Sequence, residues 1–253
     1  MAINLVWKHI LDSIKYSDKT VQNIIITAKY IKECKKTWKG EKNQFEPRLL
    51  CSMNTSKPEI FTNMGICIIP FKNGNYILTK SNIYKSLDYT IDEKEITMIT
   101  KDKTSDILTI GDSETSLVDN LKYAKVFERP EFMNEMITHG PLLNGRHRCN
   151  FEFSLDKDTI KVEGVQYEVD ACYESKNKIL LIECKNENKQ IEQFNIRQLY
   201  YPYREISKKT KKEIVPIFIH KLDDKIHIWK YSFPELNKMN SIKLEGHYVF
   251  KMS

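Results

Sequence analysis

A run of four aliphatic residues in the second half of the chain constrains the fold more than any other feature. Residues 179–182 read Ile-Leu-Leu-Ile, and the polar residues 176–178 before them are typical of a tight turn. Side chains alternate between the two faces of a strand, so consecutive large aliphatics require cover on both faces. The sequence therefore predicts that residues 179–185 form a central strand of a covered sheet.

Apolar segments on either side of this strand predict the rest of the second half. A short helix is expected over 131–137, beginning behind Pro130, because proline suits the first turn of a helix. Alternating apolar residues predict strands over 151–155 and 160–170, and a polar–apolar pattern predicts a helix over 190–201. Two further strands follow at 214–220 and 225–229. The expected order is thus a helix, three strands, a helix and two further strands.

The first half has a different pattern and no catalytic signature. Apolar residues at three- and four-residue steps predict two helices within residues 1–38, separated by a polar break at 17–20. Residues 72–75 read Lys-Asn-Gly-Asn and predict a β-hairpin. Polar turns are expected at 102–106 and 111–113. We therefore predict an N-terminal α+β module over 1–125, assigned to DNA recognition, and a catalytic domain over 126–253.

The end of the second predicted helix is rich in lysine. Two interpretations stay open, a solvated face or a phosphate contact, because cations also suit a helix C-terminus. The residues concerned are Lys32, Lys35, Lys36, Lys39 and Lys42.

Composition narrows the class of protein without naming a function. The 253 residues are 41% hydrophobic, enough for a sizeable core, and 40 Lys and Arg against 34 Asp and Glu permit a polyanionic partner. No apolar stretch approaches the ~18 residues of a membrane span, and the first residues do not resemble a secretory signal. The six cysteines form no CxxC pair, which favours reduced thiols packed as small apolar residues. We expect a soluble, cytoplasmic protein with no membrane partner.

Three charged residues around the central strand form the most informative constellation. Asp170 is followed, after twelve intervening residues, by Glu183-Cys184-Lys185. Glu183 and Lys185 share one face of the strand, and a hairpin partner would place Asp170 beside Glu183. Charged groups at a covered sheet are costly unless they are paired or bind a metal. The group is therefore either a cross-strand ion pair with a surface aspartate or a metal site.

Phosphodiester hydrolysis accounts for the second alternative. Asp170, Glu183 and the backbone carbonyl of Cys184 would hold Mg²⁺, a hard cation that prefers oxygen ligands, with Mn²⁺ as a substitute. The metal would polarise the phosphoryl oxygen and lower the pKa of a bound water. Lys185 would orient or deprotonate that water and offset charge on the phosphate.

The arrangement around Asp170, Glu183 and Lys185 resembles the PD-(D/E)xK nuclease superfamily. The segments VQYEVDACYE, LLIECKN, FNIRQLYYPYR and EPRLL are similar to a group of type II restriction endonucleases. One departure is Val169, which stands where the superfamily name has proline. The resemblance implies an α/β (α+β) fold with a restriction-endonuclease-like core, a mixed central sheet flanked by helices.

The resemblance also implies a function. It indicates a Mg²⁺-dependent, sequence-specific endonuclease of double-stranded DNA that leaves 5′-phosphates. Such a bacterial restriction enzyme is expected to be a homodimer, linked functionally to a cognate DNA methyltransferase. A repair, transposon or CRISPR-associated nuclease of the same fold is the first alternative. A catalytically inert DNA-binding regulator is the second.

Several further residues are candidates for the same chemistry. The resemblance implies that Gln198 supports the lysine or the water. Weaker candidates for metal binding or for an extra carboxylate are Glu168, Glu131 and Glu135. The candidate DNA-binding residues are Arg146, Arg148, Arg197 and Arg48.

Some of these residues have structural alternatives. Glu46 and Arg48 form either a structural ion pair or a DNA contact. Arg197 and Arg204 either bind phosphate or pair with Glu205. The tyrosines of the same segment, Tyr200, Tyr201 and Tyr203, are expected to be packing residues.

Overall fold

The computed structural model describes residues 2–16, 23–40, 45–100, 113–155 and 157–253. The helices are α1 (Ala2–Ser13), α2 (Ala28–Thr37), α3 (Pro47–Ser52), α4 (Glu59–Asn63), α5 (Glu114–Tyr123) and α6 (Arg197–Ser207). The strands are β1 (Ile24–Thr27), β2 (Cys67–Lys72), β3 (Asn75–Thr79), β4 (Tyr84–Ser86), β5 (Thr97–Ile99), β6 (His147–Leu155), β7 (Asp158–Tyr167), β8 (Ala171–Glu174), β9 (Lys178–Lys185), β10 (Gln193–Asn195), β11 (Glu213–Leu222), β12 (Lys225–Ser232) and β13 (Lys243–Met252). The architecture is α+β, with most of the regular structure in sheets.

The chain forms two compact units, and each is built from separate stretches of sequence. The first unit comprises Met1–Ser86, Cys149–Val165 and Ile191–Asn195. The second comprises Leu87–Arg148, Gln166–Gln190 and Ile196–Ser253. The sequence prediction instead divides the chain once, after residue 125. The assignment of recognition to the first part and catalysis to the second stays a prediction.

The first unit contains a five-stranded sheet with the order β1-β3-β2-β7-β6. Its β2–β3 hairpin turns through Asn73 and Gly74, and Gly74 has the positive φ of 68° that this turn favours. The predicted hairpin is confirmed. Strands β4 and β10 form a separate two-stranded sheet.

The second predicted helix is wrong in its first part. Residues 24–27 form β1, antiparallel to β3, and α2 begins only at Ala28. Consecutive β-branched isoleucines favour a strand, and Thr27 ends it by accepting a hydrogen bond from the Tyr30 amide at the start of the helix. The expected break at 17–20, Lys42 and the polar turns at 102–106 and 111–112 lie outside the described residues.

The second unit contains a six-stranded sheet with the order β5-β13-β12-β11-β9-β8. Strand β9 runs parallel to β11 and antiparallel to β8, and Leu180 and Leu181 are completely buried. The prediction of a covered, internal strand is confirmed. The neighbouring strand differs from its prediction, because β7 ends at Tyr167 and β8 begins separately at Ala171.

The helices of the second unit also depart from the prediction. Residues 131–133 form a turn and 134–137 form no helix, since Asn134 has a positive φ of 53° that a helix does not allow. The helix that precedes β8 and β9 and packs on the sheet is instead α5, which buries Leu117, Val118 and Leu121 in the core. The predicted helix over 190–201 begins later, at Arg197, because residues 193–195 pair with β4.

Two further features agree with the sequence analysis. All six cysteines are buried free thiols, packed as apolar residues. Among the described residues, no helix is both long and apolar enough to cross a membrane.

Candidate functional site

Asp170 and Glu183 lie side by side at one end of the second unit's sheet. The antiparallel register pairs Ala171 of β8 with Ile182 of β9, so the residues that follow this pair, Asp170 and Glu183, are also opposite each other. The Asp170 Oδ2 atom accepts a hydrogen bond of 2.7 Å from the Cys184 amide. The backbone of β9 thus fixes the position of the Asp170 carboxylate.

Lys185 brings the constellation together. Its Nζ atom lies 2.9 Å from Glu183 Oε1 and 3.6 Å from Asp170 Oδ2, and it donates to the Cys184 carbonyl at 2.6 Å. The structure therefore places the three predicted residues and the Cys184 carbonyl around one point. Cys184 itself turns its side chain into the core on the other face of the sheet.

A fourth charged residue, which sequence reasoning missed, completes this group. Glu114 is the first residue of α5, and its Oε1 atom lies 3.0 Å from Lys185 Nζ. Two signals in the sequence could have located this helix. Ser113 is a favourable N-cap residue, and the buried Leu117, Val118 and Leu121 follow at helical spacing.

The two acids predicted for this role are engaged elsewhere. Glu131 pairs with Arg129 at 3.4 Å. Glu135 accepts hydrogen bonds from Ser175 and Asn177, at the turn between β8 and β9. Their predicted helix does not form, so neither is presented to the carboxylate group by a helix.

Gln198 holds Glu183 from the first turn of α6. Its Nε2 atom donates a hydrogen bond to Glu183 Oε1, the same oxygen that contacts Lys185. The Gln198 Oε1 atom is buried and has no hydrogen-bond partner among the described residues. Gln198 thus contacts Glu183 directly, and its predicted support of the lysine or the water stays a prediction. Asn195, three residues earlier, is instead part of β10.

Burial and charge oppose each other at this site. Burial raises the pKa of Glu183, with Asp170 and Glu114 adding to the effect and Lys185 opposing it. Burial also raises the pKa of Glu114 against the opposing charge of Lys185. Burial alone would lower the pKa of Lys185, but the three carboxylates outweigh it and raise that pKa. The surrounding carboxylates therefore favour the protonated, cationic form of Lys185.

The donor set fits a hard divalent cation. Three carboxylates and one backbone carbonyl are directed at Lys185 Nζ, and all of these atoms are oxygens of the kind that Mg²⁺ prefers. Lys185 carries one positive charge against three neighbouring carboxyl groups, and a divalent ion at this position would offset the negative charge of those that are ionised. Lys185 occupies the space between these oxygens. Among the described residues, no group of three or more His, Cys, Asp or Glu side chains has a geometry that could hold a metal ion.

Glu168 and the arginines near it form a separate, exposed group. The Glu168 Oε1 atom accepts from Arg146 Nε at 2.8 Å and also from Gln166. Glu168 thus pairs with Arg146, and among the described contacts it has none with Lys185. Arg148 is exposed at the start of β6. Arg146 carries its own carboxylate partner, which weakens its candidacy as a phosphate contact relative to Arg148.

The remaining candidates have mainly structural contacts. The Arg197 guanidinium lies 5.8 Å from the centre of the Tyr201 ring. Arg204 is buried, and its Nη1 donates to the Tyr200 hydroxyl and the Leu236 carbonyl, so it holds α6 in place. Tyr200 and Tyr201 are completely buried, which confirms their packing role.

Arg48 is exposed on α3. The Glu46 carboxylate accepts from the Arg48 backbone amide at 3.5 Å and caps this helix. The pair is therefore a capping contact through the backbone, and the Arg48 guanidinium remains a candidate for DNA.

Two family models match the chain. One, described as a domain of unknown function (DUF6997), matches residues 79–251. The other, also described as a domain of unknown function (DUF6996), matches residues 4–78. Searches of the curated proteins and of the solved structures each found no match.

Proposed function

The chain belongs to the family of the domain of unknown function DUF6997, and we propose that it is a Mg²⁺-dependent endonuclease of double-stranded DNA. The reaction is hydrolysis of a phosphodiester bond to leave a 5′-phosphate. The observation that carries this proposal is the convergence of Asp170, Glu183 and the Cys184 carbonyl around Lys185. Glu183 is buried, and Asp170 and Glu114 lie partly exposed beside it. Grouping these carboxylates at one sheet end is costly to folding, which supports a functional role.

Each residue has a role that its contacts support. Asp170, Glu183 and the Cys184 carbonyl would hold Mg²⁺ or Mn²⁺, which when bound would polarise the scissile phosphate and lower the pKa of a water. Lys185 would offset the charge that develops on the phosphate. Gln198 keeps Glu183 oriented through its amide nitrogen and offers its oxygen as a hydrogen-bond acceptor.

The order of elements supports a restriction-endonuclease-like core of the PD-(D/E)xK type. Helix α5, strands β8 and β9, helix α6 and strand β11 occur in this order in the second unit, after the strands that belong to the first unit are set aside. Strand β8 is antiparallel and β11 parallel to β9. The metal-binding residues of such a core lie where this sheet carries Asp170 and Glu183. Glu114 would supply the extra carboxylate from the preceding helix.

The biological setting we propose is a type II restriction enzyme. It would act as a homodimer on a short site, and a cognate methyltransferase would protect the host DNA. The distribution of charge is consistent with DNA recognition by the first unit, whose sequence ranges contain 16 Lys and Arg against 11 Asp and Glu. The second unit is close to neutral by the same count.

Digestion of unmethylated phage DNA tests this proposal. The full chain should give discrete fragments with Mg²⁺ and none with EDTA, and sequencing of the ends should show 5′-phosphates at one recurrent site. The matched variant is Glu183→Gln, which keeps the shape and the Gln198 contact but removes the charge. Cleavage by this variant at the wild-type rate would refute the assigned site.

The other outcomes separate the alternatives. Cleavage without sequence preference would favour a repair, transposon or CRISPR-associated nuclease. Specific DNA binding with no cleavage in Mg²⁺ or Mn²⁺ would favour an inert regulator and overturn the nuclease proposal.

A further inference from the structure

The exposed face of α2 carries lysines at helical spacing. Lys29, Lys32 and Lys36 occupy positions i, i+3 and i+7, which lie on one side of a helix, and all three are exposed. Lys35 and Lys39 flank this row. We call Lys29, Lys32 and Lys36 the α2 lysine row. The opposite side of the helix is anchored, because Ile31 and Cys34 are buried in the first unit.

Some lysines of the same unit have carboxylate partners. Lys8 pairs with Asp12, and Lys72 and Lys161 both pair with Glu163. No salt bridge within the described ranges involves the α2 lysine row. The positive charge of the row is therefore available to a partner outside the described chain.

Helix stability does not explain the row. Lys29 lies in the first turn, where a cation opposes the helix dipole. Lys32 stands three residues from Lys29 and four from Lys36, and like charges at these spacings destabilise a helix by roughly 0.2–0.5 kcal/mol per pair. A lysine-rich C-terminus would satisfy the dipole, but it would not require Lys29 or Lys32. Glu33, four residues after Lys29 and three before Lys36, offsets part of this repulsion, and a ligand of opposite charge would relieve the rest.

We propose that the α2 lysine row binds the phosphate backbone of double-stranded DNA. This inference rests on the proposed nuclease function and adds a surface of the first unit to it. The row is ~10 Å long at 1.5 Å per residue, a length that corresponds to about three phosphates at an axial rise of 3.4 Å per strand. Its contacts position the duplex and read no bases.

An anionic membrane is a poorer partner for this face. Helices that lie on membranes place apolar side chains beside their basic residues. The exposed residues of α2 other than lysine are Glu33 and Thr37, and its apolar residues face the core. The exposed face of α2 is thus charged and has no apolar side chain that could insert into a membrane.

The test is the salt dependence of binding of the full chain to a short labelled duplex, measured by fluorescence anisotropy in EDTA. Each lost phosphate contact lowers the slope of log K against log salt by about 0.9. The triple variant Lys29→Gln, Lys32→Gln, Lys36→Gln should therefore lose about two to three units of slope. It should also bind at least about tenfold more weakly at 0.1 M salt.

Two control variants separate specific contacts from net charge and from folding. Lys8→Gln, Lys72→Gln, Lys161→Gln removes the same charge from ion-paired lysines of the same unit and should change the slope by less than about one unit. Lys29→Arg, Lys32→Arg, Lys36→Arg keeps the charge and should retain the wild-type slope. Circular dichroism checks the fold of each variant. If the glutamine triple variant unfolds, the three single variants should each lose about one unit.

The outcomes distinguish this inference from the function on which it rests. Equal slopes for the glutamine triple variant and its ion-paired control would overturn the inference, even if the enzyme cleaves DNA. A lower salt slope in the glutamine triple variant than in its ion-paired control, with no cleavage by the wild type in Mg²⁺, would uphold the inference and overturn the nuclease proposal. Binding of the wild-type chain to phosphatidylserine vesicles and not to the duplex would assign the row to lipid.

Discussion

Lys185 offsets part of the negative charge of three neighbouring carboxylates. Its side chain is only 12% exposed and that of Glu183 only 7%, so water screens their attraction weakly. Without a bound metal, the carboxylates depend on this lysine for a neighbouring positive charge. Under the proposed function, a divalent ion would take over this role.

Replacing this lysine should make folding dependent on a divalent ion. Lys185→Met removes the lysine that the three carboxylates share and should cost about 3 kcal/mol of unfolding free energy in EDTA. Mg²⁺ should then raise the melting temperature of the variant more than that of the wild type, because the ion replaces the lost ammonium. Thermal unfolding measures both. Lys178→Met, which removes a partner of Glu213, is the matched control and should show no extra response to Mg²⁺. An identical Mg²⁺ response in both variants would contradict the metal site.

Glu114 should matter to catalysis, and Glu131 should not. Glu114→Gln removes the α5 carboxylate from Lys185 and should slow cleavage at saturating DNA by about 10- to 100-fold, the range for removal of a partner that orients a metal ligand. Glu131→Gln is the matched control, because its side chain pairs with Arg129. Single-turnover cleavage separates chemistry from DNA binding. Equal rates for the two variants would exclude Glu114 from the site.

At the scale of elements, local patterns predicted the strand that carries the site. The aliphatic run before Glu183 fixes both the strand and the shared face of Glu183 and Lys185, and the hairpin spacing places Asp170 beside them. Glu114 escaped prediction because it lies 71 residues from Lys185 in sequence and belongs to no spacing motif. Only the packing of α5 on the sheet brings it there.

The start of α5 depends on its N-cap. Ser113 accepts a hydrogen bond from the Ser116 amide at 3.1 Å and satisfies one of the free amides of the first turn. Ser113→Ala should lower the free energy of unfolding by about 1 kcal/mol, whereas Ser113→Asn keeps an acceptor and should lose much less. Urea unfolding gives the comparison. A larger loss in the asparagine variant would show that another contact of Ser113 dominates.

At the scale of the whole molecule, the interleaving of the two units could not be read from local patterns. In the first unit, β2 pairs in parallel with β7 at Lys72 and Glu163, which are far apart in sequence. A strand carries no sequence signal for a distant parallel neighbour. The single boundary predicted at residue 125 therefore followed the change of local pattern and the lack of a catalytic signature before it. The charged triplet was accessible to prediction because its members are close in sequence.

A buried histidine group in the second unit links its stability to pH. His227 Nδ1 and His247 Nε2 are hydrogen bonded at 3.0 Å, and Trp229 stacks on His247 with a ring separation of 4.8 Å. Burial, followed by the neighbouring positive charges, lowers the pKa of His227 to about 4. Burial also lowers the pKa of His247 and His220. The folded state therefore keeps these rings neutral at a pH where the unfolded chain protonates them.

Stability should fall as the pH is lowered from about 6.5, the ordinary histidine pKa, towards 4, because only the unfolded state takes up these protons in that range. The loss from His227 should be about 2 kcal/mol after allowance for solvent screening. The raised pKa of Glu183 acts in the opposite sense, since protonation of this carboxyl stabilises the folded state as the pH falls. Urea unfolding in EDTA at several pH values measures how the free energy of unfolding depends on pH. This dependence should be weaker for the double variant His227→Gln, His247→Gln and stronger for Glu183→Gln. Substitution of the exposed His139 by glutamine is the control. If the double histidine variant keeps the wild-type slope, acid sensitivity arises elsewhere in the chain.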